Sequence, residues 1–266
     1  MLIIGENINA SRKTIREKLL EKDQVFFQNL AKKQVQSGAK MLDINIGDTD
    51  PDHRPLIQWL VKTIQEVVNV PLCLDSPYPQ IIQAGLEAYL SQNGKPMVNS
   101  VTLEQERMNS ILPLVKQYQC TIVALPMDKN GIPDNAQGRF LIAEELIKKI
   151  TEFDIPAEDI YLDPLVIPIS TNSNTARITL ETLYLIHQSY PHIKTIAGLS
   201  NISYGLPVRK NLNQGFLPLL MQAKISALIL DPTDRQLMSL LYSCQVLLEN
   251  DPYCKNYLQA YRNGKI

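Results

Sequence analysis

The stretch Thr195-Ile-Ala-Gly-Leu-Ser-Asn-Ile-Ser-Tyr-Gly-Leu-Pro-Val-Arg209 decides the fold. Thr195, Ile196 and Ala197 read as the end of a buried strand, and Gly198 lets a backbone or a flat ligand come close. Ser200 and Asn201 then set two small hydrogen-bonding side chains at that strand's carboxyl end, with Arg209 one loop away. In a repeating strand–helix chain, that end of the strand is where ligands bind. The expectation is therefore a site centred on Asn201, with the rest of the chain supplying its other walls.

The same unit recurs on both sides of this stretch. Apolar runs at Leu2–Gly5, Met41–Ile46, Leu72–Leu74, Met97–Val98, Thr121–Leu125, Ile160–Leu162 and Ala227–Leu230 read as buried strands. Between them lie segments with apolar residues at helical spacing. The pattern predicts a helix from Asp23, a good N-cap, to Gly38, and others over Pro55–Val68, Pro79–Leu90, Leu103–Tyr118, Phe140–Phe153, Ala176–Tyr190, Phe216–Ala223 and Asp234–Leu248. A last short helix is expected over Tyr253–Tyr261. Eight strands, each followed by a helix, predict an α/β fold of the (β/α)8 TIM-barrel kind, one domain over residues 1–266. No Gly-x-Gly-x-x-Gly follows the first strand, which counts against a dinucleotide fold.

The strands end alike. Asn7, Asp43, Asn45, Asp75, Asn99, Asp163, Asn201 and Asp231 all fall at or just beyond a carboxyl end. Any one of them alone reads as a helix cap. In a barrel they converge on one mouth lined by acids and amides, which suits a polar heterocycle rich in N–H groups better than a phosphate. No histidine stands at a strand end, so neither a metal centre nor a serine–histidine nucleophile is expected. Cys73 reads as core, and His53 as a solvated loop residue. The scattered Cys73, Cys120, Cys244 and Cys254 have no zinc-ligand spacing and read as reduced thiols. A net charge of -1 with no basic tract argues against nucleic acid. No apolar run approaches the ~20 residues of a membrane span, and MLIIGEN is not a signal peptide, so a cytoplasmic protein is expected.

Seven motifs stand in order along the chain: LIIGENIN, LDINIG, CLDSP, MVNS, MDKNGIP, YLDP and GLSNIS. Together they resemble the pterin-binding methyltransferases that act between methyltetrahydrofolate and a corrinoid. The folate domain of cobalamin-dependent methionine synthase is similar, and dihydropteroate synthase is more distant. The resemblance implies a TIM barrel that binds tetrahydrofolate or 5-methyltetrahydrofolate as substrate, with cobalamin supplied by a partner corrinoid protein and no metal held by the chain itself. It matches Asp75, Asn99 and Asp163 to residues that hydrogen-bond the pterin, and Asn201 to the asparagine near N5. Gly198 and Ser200 shape that wall, and Arg209 contacts pterin or folate. Glu6, Asn7, Asp43 and Asn45 form a second tier. Asn7 is a departure, because the family often has Arg after the first-strand Glu. Tyr204 and Pro207 depart from a more polar run and alter the corrinoid-facing rim. No homocysteine or corrinoid module is evident, so the corrinoid is expected to arrive on another protein. A homodimer is implied as well. The competing expectations are a dihydropteroate synthase, which the acidic end of strand eight at Asp231-Pro232-Thr233 fits poorly, and a non-catalytic folate-binding subunit.

Overall fold

The computed structural model describes residues 1–47 and 53–266. Eight parallel strands close into a barrel in sequence order. They are β1 (Leu2–Asn9), β2 (Met41–Asn45), β3 (Leu72–Asp75), β4 (Met97–Val101), β5 (Thr121–Ala124), β6 (Ile160–Leu162), β7 (Lys194–Gly198) and β8 (Ala227–Leu230). Pairing of β1 with β8 completes the ring. The outer layer is made of α1 (Lys13–Leu20), α2 (Gln24–Gln36), α3 (Arg54–Gln65), α4 (Pro79–Glu87), α5 (Gln105–Gln117), α6 (Ala136–Glu152), α7 (Thr175–Ser189), α8 (Arg209–Gln222), α9 (Arg235–Leu247) and α10 (Lys255–Arg262). Among the described residues, no helix is long and apolar enough to cross a membrane.

Strand alternation divides the core. Outward-facing Leu42, Ile44, Leu72 and Leu74 pack with Leu56, Ile57, Leu60 and Ile64 of α3. Across the barrel, Leu228 and Leu230 pack with Leu217 and Leu220 of α8 and Leu237 and Leu241 of α9. Each such buried leucine contributes about 2 kcal/mol. The barrel interior is a separate cluster with one residue from every strand: Ile4, Met41, Cys73, Met97, Val123, Tyr161, Ile196 and Ala227. This ring fills the barrel, so the cavity above it has a floor and the barrel is no pore. Cys73 is core, as the sequence reading expects.

Several boundaries differ from expectation. Strand β1 continues through Glu6 and Asn7 to Asn9, with a register shift between Gly5 and Ile8. Gln34 of α2 fills that irregularity: its Oε1 accepts the Asn7 N–H at 3.0 Å, and a Cβ on Gly5 would lie 2.4 Å from it. Helix α1 is unexpected, because its eight residues bury only Ile15 and Leu19, an apolar face one turn long. Helix α8 starts at Arg209, seven residues before the apolar stripe that begins at Phe216, because its first turns are polar. Helix α6 begins at Ala136, where the Asn135 side chain caps the Gly138 N–H at 2.8 Å. His53, expected as a solvated loop residue, is the N-cap residue of α3 and half-buried, with its Nδ1 shielded from solvent.

Candidate active site

A cavity of about 410 Å³ opens at the carboxyl ends of the strands. Its floor follows from the pleat. Two residues beyond each member of the interior ring stand Glu6, Asp43, Asp75, Asn99, Leu125, Asp163, Gly198 and Ile229, and all eight line the cavity. The register places Asn45, Asp75 and Asn99 at one height on three neighbouring strands. Ser200, Asn201 and Arg209 complete one wall, and Leu125, Leu165, Val166 and Ile229 give apolar surface for a flat ring.

Asn7 and Asn45 do not line the cavity. Asn7 is buried behind it, donating from Nδ2 to Asp231 Oδ1 at 2.6 Å and accepting from Arg12 at 2.8 Å. Asn45 acts through a neighbour: its Nδ2 donates to Asp75 Oδ2 at 2.8 Å. Asp231 is also outside the main cavity, held by the Thr233 N–H and hydroxyl. Arg12 enters the site unforeseen from the β1–α1 connection and pairs with Glu6 Oε1 at 3.1 Å. The mouth thus carries two guanidiniums, Arg12 and Arg209, where the sequence shows mainly acids and amides.

Gly198 lines the cavity and also makes room for a neighbouring side chain. A Cβ there would fall 2.9 Å from Asn201 Nδ2, so the missing side chain makes room for the Asn201 amide itself. Asn201 follows in a 3-10 turn over Leu199–Ser203 and is exposed at the mouth. Arg209 braces that turn, donating to Ser200 O at 2.7 Å and Ser203 Oγ at 3.1 Å, with its guanidinium 5.7 Å from the Tyr204 ring centre.

Two further arginines hold the acidic side of the site from behind. Arg139 of α6 is fully buried and donates to Pro133 O, Pro164 O and Leu165 O at 3.0, 2.8 and 2.6 Å. The last two carbonyls immediately follow Asp163, whose Oδ1 accepts the Leu165 N–H at 2.8 Å. Arg107 of α5 clasps Ser76 O, Pro77 O and Ser100 O, the carbonyls just beyond Asp75 and Asn99. Neither arginine touches the cavity. In sequence, each is one polar residue on an amphipathic helix, indistinguishable from a solvated one.

Burial dominates the electrostatics. It pushes Asp163 up to about 7, against the pull of the Leu165 N–H and Arg139. Burial also raises Asp75, opposed by the Asn45 bond and Arg107. Asp43 is raised well above the carboxylate range by burial and by the charge of Asp75, and its Oδ1 has no hydrogen-bond partner among the described residues. Glu6 is raised by burial, with Ser200 and Arg12 pulling the other way. These carboxyls favour a ligand that offers N–H donors, because such donors replace the lost hydration of the charged form.

The sequence matches the model of the pterin binding enzymes over residues 5–247. The chain belongs to the pterin-binding enzyme family. It is 34% identical over its full length to the methylcorrinoid:tetrahydrofolate methyltransferase of Eubacterium limosum, covering 98% of that protein. It is also 31% identical over 86% of its length to the methionine synthase of Mycobacterium tuberculosis, of which it spans 20%. Among solved structures, dihydropteroate synthase from Xanthomonas albilineans with 4-aminobenzoic acid superposes with a TM-score of 0.70. That match covers 95% of this chain and 93% of the other at 17% identity, a likeness of fold alone.

Proposed function

We propose that this protein transfers a methyl group between N5 of tetrahydrofolate and the cobalt of a corrinoid carried by a separate protein. The observation that carries the reading is one cavity lined by Asp75, Asn99, Asp163 and Asn201. It lies in a chain 34% identical end to end to a methylcorrinoid:tetrahydrofolate methyltransferase. That relative's name puts the methylcorrinoid on the donor side, and we infer the same direction here.

Each residue has a role its chemistry permits. Ionised Asp163 and Asp75 accept N–H bonds from the aminopyrimidinone and ring nitrogens, and Asn99 donates and accepts at once. The apolar side chains cover the ring face. N5 carries positive charge when it is both protonated and methylated, and the Asn201 carbonyl oxygen stabilises that N–H as a fixed dipole. Arg209 holds the Asn201 turn and lines the cavity, within reach of the folate. The corrinoid approaches from solvent across Tyr204 and Val208, which are exposed at the rim. A homodimer belongs to the same reading, with exposed Tyr184 and Leu219 on α7 and α8 as the apolar face it would cover.

The test is a visible-spectrum assay of methylcob(III)alamin with tetrahydrofolate, and of cob(I)alamin with methyltetrahydrofolate. Enzyme-dependent interconversion of the two cobalamin spectra is the expected result. Tight folate binding without transfer to free cobalamin or to a corrinoid protein would instead favour a binding subunit. Condensation of a pterin pyrophosphate with 4-aminobenzoate would favour the synthase.

A further inference from the structure

Methyl transfer at N5 moves a proton as well as a methyl group, and the Asn201 amide does not titrate in water. A second cavity of about 200 Å³ lies beside the first, behind β1, β7 and β8, with room for several waters at about 30 Å³ each. Exposed Arg209 and Lys210 form part of its wall, so it reaches the surface. Four residues line both cavities: Glu6, Arg12, Ser200 and Arg209. Glu6 is the one carboxylic acid among them. Its side chain is 12% exposed. Its Oε2 accepts the Ser200 hydroxyl at 2.8 Å, and Ser200 directly precedes Asn201.

We propose that Glu6 is the proton relay of the transfer, acting through the Ser200 hydroxyl and exchanging with water in the side cavity. The inference rests on the transferase reading above. As the folate is methylated, the N5 lone pair forms the new N–C bond and the Co–C electron pair stays on cobalt. The proton left on N5 passes to Ser200 Oγ as the Ser200 proton moves to Glu6. Glu6 then releases it to the side cavity. In reverse, the N–C pair returns to N5 and the same chain supplies its proton. The hydrogen bond already has the polarity of outward transport, with Ser200 donating and Glu6 accepting. Burial and the charge of Asp231 oppose the ionised acceptor, whereas the Ser200 hydroxyl, Arg12 and Arg209 favour it.

The experiment compares wild type, Glu6→Gln and Ser200→Ala in both directions of transfer over a range of pH, with folate binding measured by calorimetry. Both variants should melt normally and bind folate within a few-fold of wild type. Their kcat should fall on the order of 10²-fold, the usual contribution of a positioned acid or base. The limb of the kcat profile that belongs to Glu6 should vanish in Glu6→Gln. Added acetate should restore part of the rate of Glu6→Ala, a rescue that a structural role would not permit. A Glu6→Gln enzyme with wild-type rate and profile overturns the relay, and so does loss of its folate binding, which would make Glu6 a pterin contact. A wild type that transfers no methyl to either cobalamin or a corrinoid protein condemns the transferase reading itself, whereas an active wild type with an equally active Glu6→Gln condemns the relay alone.

Discussion

Two rings inside the barrel, two residues apart on the same strands, have opposite chemistry. The lower ring holds Ile4, Met41, Cys73, Met97, Val123, Tyr161, Ile196 and Ala227. The upper ring replaces them in turn with Glu6, Asp43, Asp75, Asn99, Leu125, Asp163, Gly198 and Ile229. One pleat repeat therefore separates a packed hydrophobic plug from a floor of acids and amides. The lower ring stabilises the fold by burial. The upper ring costs stability, because four carboxyls sit where the charged form is disfavoured. Binding strain of this sort is characteristic of a site organised for its ligand.

Exchanging the chemistry of the rings should give the largest effect. Cys73→Asp would bury a carboxylate beside Asp43 with no cation in reach, and should destabilise by ~5 kcal/mol, measured by denaturant unfolding. The opposite change above the plug should stabilise. Asp163 ordinarily titrates near 3.8 and is raised to about 7 in the fold, so the native state binds its proton more tightly than the unfolded chain. Its ionisation therefore destabilises the protein fully above about pH 7, and the penalty fades as pH falls toward the unfolded value. Asp163→Asn should gain up to about 4 kcal/mol at mildly alkaline pH and lose that gain toward pH 4, while folate binding collapses. A stability gain that persists in acid would show that Asp163 is not the group responsible.

Support from behind the ring has a smaller expected effect. Arg139→Met leaves three carbonyls without their donor and should destabilise by about 3 kcal/mol. It also removes a charge that lowers Asp163, so the pH midpoint of folate binding in the variant should move upward. An unmoved midpoint would reduce Arg139 to a purely structural strut. In the wild type itself, folate affinity should weaken by about tenfold per pH unit below pH 7, as Asp163 gains the proton that blocks its acceptor role. Calorimetric titration at several pH values checks this, and a flat profile would separate the pterin edge from Asp163.

The layout of both rings is legible in the sequence once the strands are located, because the side-chain period is two. Asp75, Asn99 and Asp163 stand out as polar residues closing apolar runs. Leu125 and Ile229 were hidden by being apolar, although counting two residues on from Val123 and Ala227 reaches them. Asn7 misleads only when the period is ignored: it stands one residue past the inward Glu6, so alternation turns it away from the cavity toward Asp231. Asn45 misleads less: it is in the right layer and reaches the site through Asp75. Arg107 and Arg139 could not be read at all. Their partners are main-chain carbonyls of loops up to 31 residues away, which leave no side-chain signature. Gly198 was legible as a close approach, but the approaching group was not.

The central claim is that the upper ring binds a folate whose N5 lies at Asn201. It is tested most directly by measuring folate affinity and single-turnover methyl transfer in parallel on wild type and Asn201→Ala. The account predicts folate binding within about tenfold of wild type and a rate reduced on the order of 10²- to 10³-fold, the loss expected for a dipole that acts on developing charge. Transfer at the wild-type rate in Asn201→Ala would contradict it.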